Sequence, residues 1–224
     1  MRTYRTPIAL VLAVCLMLIS TSLASAHQPF FEDKDFTAKA PGTVKDPTVS
    51  TALYATLDSP RDVDYVTFAG KRGETVLIGL TIPAIDGQEN FTPTVAIMGP
   101  GLPPAGLAQL PRRVTAPAKS TPPAGAIVWR AAPGKPSTFF EPFSRTKYWE
   151  RQENRIKLPV DGRYTIAVWS DNCAMGRYTL VVGEREVLGG DPAFPVKLPA
   201  YWQPVQPPAP PHTGPGERMP SRTT

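Results

Sequence analysis

Apolar and polar positions alternate along much of the chain. In the stretch 163–170, Tyr164, Ile166 and Val168 fall on one face and Thr165, Ala167 and Trp169 on the other, the spacing of a strand with two distinct faces. The same reading predicts strands over 51–57, 63–69, 75–82, 94–98, 126–130, 155–158, 163–170 and 177–183. Turn-forming residues separate them: Ser59-Pro60, Gly70-Lys71-Arg72-Gly73, Asp86-Gly87, Gly99-Pro100-Gly101 and Asp161-Gly162. No segment keeps a helical period of ~3.6 residues over about ten positions. Short strands punctuated in this way predict an all-β fold, an antiparallel jelly-roll-like β-sandwich.

Composition divides the chain further. Proline makes up 28 of the 224 residues, which disfavours long helices because an interior proline removes a hydrogen bond and clashes with the preceding turn. Residues 27–89 carry a net charge of −4, residues 90–140 hold five bases and no acid, and residues 141–196 balance. The acid-free stretch also contains nine prolines between Pro100 and Pro136. It reads as a long Pro-rich, basic excursion from the domain surface, not a second core. From Lys197 onward eight prolines fall in 28 residues, a composition that buries too little to offset its ordering entropy. The expected division is a signal peptide at 1–26, a β-sandwich at 27–196, and an extended or disordered Pro-rich tail at 197–224, with Tyr201 and Trp202 as the tail residues suited to packing back.

The start of the chain has the three parts of an export signal. Arg2 and Arg5 precede an apolar run from Ile8 to Ile19, and Ala24-Ser25-Ala26 forms a small-residue cleavage site. Val14 is too bulky for Cys15 to serve as a lipidation site. The mature protein is therefore expected in the periplasm or outside the cell, without a transmembrane segment. Its one remaining cysteine, Cys173, makes no internal disulfide and reads as a small buried or half-buried apolar residue. The formal charge of +5 falls to +3 without Arg2 and Arg5, so nucleic acid is not an expected partner.

Two segments fourteen residues apart repeat a pattern: Gly162-Arg163-Tyr164-Thr165-Ile166 and Gly176-Arg177-Tyr178-Thr179-Leu180. Each reads as a turn glycine followed by a strand, with a hairpin turn over 169–175 between them. Upstream, Asp62-Val63-Asp64-Tyr65-Val66-Thr67-Phe68 leads through Gly70 and Gly73 into the apolar stretch 75–82. In this order the motifs resemble the bacterial pre-peptidase C-terminal domain family over roughly residues 51–183. The chain also resembles uncharacterised secreted proteins with an HQPFFE-like start and an EPFSRTKYW-like stretch. The resemblance implies a non-catalytic accessory module with roles in surface or polymer binding. Some members of that family bind calcium near the start of the sandwich, where Glu32, Asp33 and Asp35 are the nearby candidates here; these acids define no site in the sequence, and no cofactor is expected.

Candidate chemistry is sparse. Phosphate-cradling, nucleophile-elbow and zinc motifs are absent, and Asn90-Phe91-Thr92 is a glycosylation sequon. The densest polar–aromatic cluster spans 141–151, and Glu141, Tyr148, Trp149 and Arg151 are its candidate ligand-binding residues, since aromatic faces beside charges suit sugar stacking or a protein hot spot. The leading expectation is an exported, non-catalytic binding module for an envelope protein or cell-surface polymer. The alternative is a polysaccharide-acting or copper-dependent enzyme, using Glu141 with Glu150 or the terminal His27 with His212.

Overall fold

The alternating segments pair into two sheets that face each other across one apolar core. A computed structural model describes residues 27–116, 121–132 and 135–205. The larger sheet has the order β1 (Gln28–Phe31), β3 (Thr51–Leu57), β11 (Gly176–Val182), β5 (Thr75–Pro83), β9 (Thr146–Lys157) and β8 (Ser137–Glu141). The smaller runs β2 (Gly42–Thr43), β4 (Val63–Gly70), β10 (Gly162–Trp169), β6 (Thr94–Pro100) and β7 (Ala124–Trp129). Every second residue of the central strands points inward, so Leu53, Ala55 and Leu57 meet Val66, Phe68, Ile97, Ile166 and Leu180 in the core. The fold is the expected all-β sandwich, with two corrections to its pairing. β1 runs parallel to β3 and β2 parallel to β4. In addition, β10 and β11 lie in different sheets, so residues 170–175 cross between sheets and do not turn a hairpin.

The two glycines of the repeat also have a different role from the expected one. Neither has a positive φ. A Cβ on Gly162 would lie 2.5 Å from Pro100, and one on Gly176 2.6 Å from the Phe91 ring. Both are points of close approach. The tyrosines that follow, Tyr164 and Tyr178, are fully buried. Tyr164 donates to the Val160 carbonyl at 2.8 Å, and Tyr178 reaches across the core to the opposite sheet.

The Pro-rich excursion is a cover for the smaller sheet. The outward faces of β4, β6 and β10 carry Val63, Tyr65, Ala96, Met98, Ala167 and Trp169, all buried beneath Leu107, Leu110 and Val114. Strands apolar on both faces require a second layer, and a short 3-10 helix (Pro104–Gln109) with residues 110–116 supplies it. Arg113 pins this layer by donating to the Ser170 carbonyl at 2.5 Å, and the Tyr65 hydroxyl accepts from the Thr115 amide at 2.7 Å. The excursion thus builds a second, smaller core where only a solvated loop was expected.

Helix α1 (Phe194–Tyr201) corrects the expected boundary at 196/197, which falls inside it. Pro195 sits in its first turn, where a missing amide costs nothing. Tyr201 and Trp202 do pack back onto the larger sheet. The predicted signal peptide and residues 206–224 lie outside the described residues.

Gly176→Ala forces a methyl group against Phe91 and is expected to destabilise the protein by about 1–3 kcal/mol, read as a lowered thermal midpoint.

Candidate functional site

The outer face of the larger sheet is divided in two. Over β1 and β3 it presents Phe31, Ala52 and Tyr54, and α1 closes this half with Phe194, Leu198, Tyr201 and Trp202. The rings interlock: Phe31 stacks on Tyr54 at 5.0 Å, Tyr54 meets Tyr201 edge-on at 5.3 Å, and Phe143 stacks on Phe194 at 4.8 Å. The Tyr201 hydroxyl donates to the Ala55 carbonyl at 2.6 Å and also abuts the Tyr178 carbonyl. Lys197 ties the helix to the start of the chain through Asp33, at 2.8 Å, and to Asp191, at 2.7 Å.

The other half, over β5, β9 and β11, is open. Its floor is Leu77, Gly79, Thr81 and Val181, and its walls carry Phe139, Glu150, Glu153, Glu184 and Glu186 around a groove of about 330 Å³. At its edge stands β8, the outermost strand, with Phe139 40 % and Phe140 60 % exposed; Phe143, in the following turn, is 37 % exposed.

The four residues singled out in the sequence belong to the β8–β9 hairpin but do not share an open surface. Tyr148 is 2 % exposed and stacks on Phe139 at 5.6 Å; burial pushes its hydroxyl up to about 12, so it stays neutral. Glu141 accepts from the amides of Phe143 and Ser144, at 2.8 and 2.5 Å, and so closes the hairpin turn. Trp149 is half-buried against the main core. Arg151 is the extra residue of a β-bulge between the pairs Leu80–Gln152 and Thr81–Glu150. Its guanidinium donates to the Glu89 carbonyl at 2.6 Å and lies over the Trp149 ring at 5.8 Å.

The residues of the enzymatic alternative are not brought together. Glu150 accepts from Ser137 at 2.8 Å, and Glu141 stands four positions further along β8, ~13 Å away at ~3.3 Å per residue. His27 contacts Ser50 and lies 3.9 Å from Glu186, while His212 lies outside the described residues. Cys173 is exposed, at φ 59°, in the crossing between sheets, and is not the buried apolar residue expected.

A carboxylate cluster sits at the other side of β3. Glu32, directly after β1, accepts from the amides of Phe36 at 2.9 Å and Thr56 at 2.8 Å, which folds the chain back over the sandwich. Asp64 on β4 is 0 % exposed and accepts from the Tyr178 hydroxyl at 2.5 Å through Oδ2, while its Oδ1 is buried with no hydrogen-bond partner. Carboxylate oxygens of Glu32, Asp35 and Asp64 lie within 4.8 Å of one another. Asp33, by contrast, turns outward to Lys197. Of the three acids the resemblance suggested, the structure groups two and replaces the third with Asp64.

Burial raises the carboxyls of both Glu32 and Asp64 well above the usual carboxylate range, and their mutual repulsion lifts Asp64 further. Burial, reinforced by Asp35 and Asp58, also brings Asp62 to about 6. Buried carboxylates in this position require either a proton or a cation. Three hard oxygen donors and an unpartnered Oδ1 fit a calcium-type ion, which takes six to eight oxygens. Glu32, Asp35 and Asp64 are the side chains that would hold it.

No family model matches the chain, and no curated protein matches it. Among solved structures it is similar to PliG, a periplasmic inhibitor of g-type lysozyme, from Aeromonas hydrophila, at 16 % identity over 63 % of this chain and 95 % of that one, with a TM-score of 0.35. The Salmonella Typhimurium PliG is 11 % identical over 63 % and 96 % of the two chains, with a TM-score of 0.33. The pre-peptidase C-terminal domain of a collagenase from Bacillus anthracis is 12 % identical over 62 % and 91 %, with a TM-score of 0.30. Likenesses of this size bear on neither ligand nor partner, and the sandwich stands on the pairing of the chain's own strands.

Acids whose native pKa is raised favour the folded state while protonated, and that contribution is lost as pH rises through the native value. For Asp62 the loss begins above an unfolded value of about 4 and runs through about 6; for Glu32 and Asp64 it continues upward. The thermal midpoint of the chelator-treated protein is therefore expected to fall between about pH 5 and about pH 8, and Asp64→Asn to flatten the profile. A midpoint that rises over this range contradicts the assignment.

Proposed function

We propose that the protein is an exported, non-catalytic β-sandwich module that binds another protein through the β8 side of its larger sheet. The observation that carries this reading is the pair Phe139 and Phe140, exposed at 40 % and 60 % on an outermost strand. Phe139 and Phe140 are successive residues of β8 and point to its two opposite faces. Large apolar side chains exposed in this way mark interaction sites, and the sheet edge that carries them offers backbone groups to a partner. Export is supported by the signal-like start of the sequence. No helix among the described residues is long and apolar enough to cross a membrane.

Phe140→Asp places a charge on this surface without touching the core. In affinity capture from the native envelope fraction, a partner retained by the unaltered protein is expected to be lost with the variant, at equal thermal midpoints. Undiminished capture by the variant removes β8 as the binding edge.

Calcium at Glu32, Asp35 and Asp64 belongs to the same proposal in a structural role. Bound there, it would neutralise the buried carboxylates and secure the lead-in segment around Phe36 to β3 and β4. Addition of calcium to the chelator-treated protein is expected to raise its thermal midpoint, with the increment lost in Asp64→Ala. An equal increment in that variant places the ion elsewhere.

A further inference from the structure

The open half of the larger sheet is chemically distinct from the aromatic half beside it. Glu150, Glu153, Glu184 and Glu186 line the groove. Arg155 is the cation set among them, bonded to Glu153 at 2.6 Å and Glu184 at 3.0 Å. Four carboxylates thus face one guanidinium around a floor that is apolar at Leu77 and Val181 and flanked by Phe139, with His27 at the rim 3.9 Å from Glu186.

Gly79 lies at the centre of that floor, paired with Glu153 on one side and Val181 on the other. Glycine in a strand interior weakens the strand and commonly marks close approach by a ligand or another backbone. Here the fold itself does not require it. Gly79 has no positive φ, and a Cβ would meet nothing nearer than 3.6 Å. Its small size leaves an opening that no neighbouring element fills.

We propose that this groove receives a lysine- or arginine-bearing extended segment of a partner protein, an inference that rests on the binding-module reading and specifies the partner's chemistry. A long basic side chain lays its aliphatic stem along Leu77, Val181 and Phe139 and brings its cationic head to the glutamates, the arrangement such side chains adopt at apolar–polar boundaries. The groove ends at β8, which pairs with β9 on one side and with no strand among the described residues on the other. A polypeptide uses both features, the carboxylates for its side chains and the edge for its backbone. A small polyamine uses the carboxylates alone.

The test uses the full mature chain and three probes: a fluorescent peptide of alternating lysine and valine, its glutamate–valine counterpart, and spermine as competitor. The lysine peptide is expected to bind and to weaken with added salt, as exposed ion pairs do, while the glutamate peptide does not bind. Gly79→Leu fills the floor and is expected to weaken binding about tenfold or more. Glu150→Lys, on the wall, provides the same readout should Gly79→Leu lower the thermal midpoint. Equal binding of the two peptides, binding unchanged in both variants, or complete displacement by spermine at the lysine peptide's own affinity each overturns the inference. Failure of the lysine peptide to bind also overturns it, yet leaves the binding-module reading standing if Phe140-dependent capture persists.

Discussion

The hydrogen bond from Tyr178 to Asp64 spans the two sheets, and much of the molecule is arranged around it. Tyr178 belongs to the centre of the larger sheet and Asp64 to the smaller, so the bond crosses the core at 2.5 Å. A carboxylate placed there without compensation costs several kcal/mol, which is why its surroundings are so specific. Glu32 is drawn to the same point and closes the lead-in segment against Phe36 and Thr56. On the other side of the strand, the Tyr178 carbonyl abuts the Tyr201 hydroxyl, so the ring that fills the core also helps seat α1. One residue thus connects the buried acids with the aromatic cap.

The two outer faces of the sandwich solve the same problem by different means. β4, β6 and β10 are apolar outside as well as inside, and the Pro-rich segment 101–116 lies across them. β3 carries Tyr54 outward, and α1 covers it with a face of rings. What remains uncovered is the quarter over β5 and β9, where Leu77 is the apolar outward residue among glycine, threonine, glutamate and arginine. Its openness follows from composition, since such residues need no second layer, and the charge collected there repels other acids.

Most of the strands were legible from alternation, because segments such as Thr51–Leu57 place every second apolar residue on one face. β9 was visible only at its end. Five of its first eight residues, Lys147 and Glu150 to Glu153, carry long polar side chains, and the bulge at Arg151 shifts the alternation by one position. α1 was hidden by Pro195 and Pro199, which read as coil, whereas its stability comes from rings contributed by β1 and β3. The cover over the smaller sheet had a signal that composition masked: Tyr65, Met98 and Trp169 sit on the face opposite the core residues of the same strands. Asp64 was also readable in principle, as an acid in phase with Val66 and Phe68. The acidic groove was not, since Gly79, Glu150 and Glu184 are adjacent only through the order in which distant strands pair.

That order also distinguishes β8 from the rest of its sheet. β3 pairs with β11, β11 with β5 and β5 with β9, each across a long separation in sequence, whereas β8 and β9 form a hairpin closed by the Glu141 turn. Long-range pairs form together and late, while a terminal hairpin strand can part from its neighbour and leave every other ladder intact. The exposed phenylalanines therefore ride on an edge strand held to the sandwich by a single neighbouring strand. A partner that gripped them would load the sandwich through that one ladder and the Phe139–Tyr148 stack, so strain at the edge would reach β9 before any other strand.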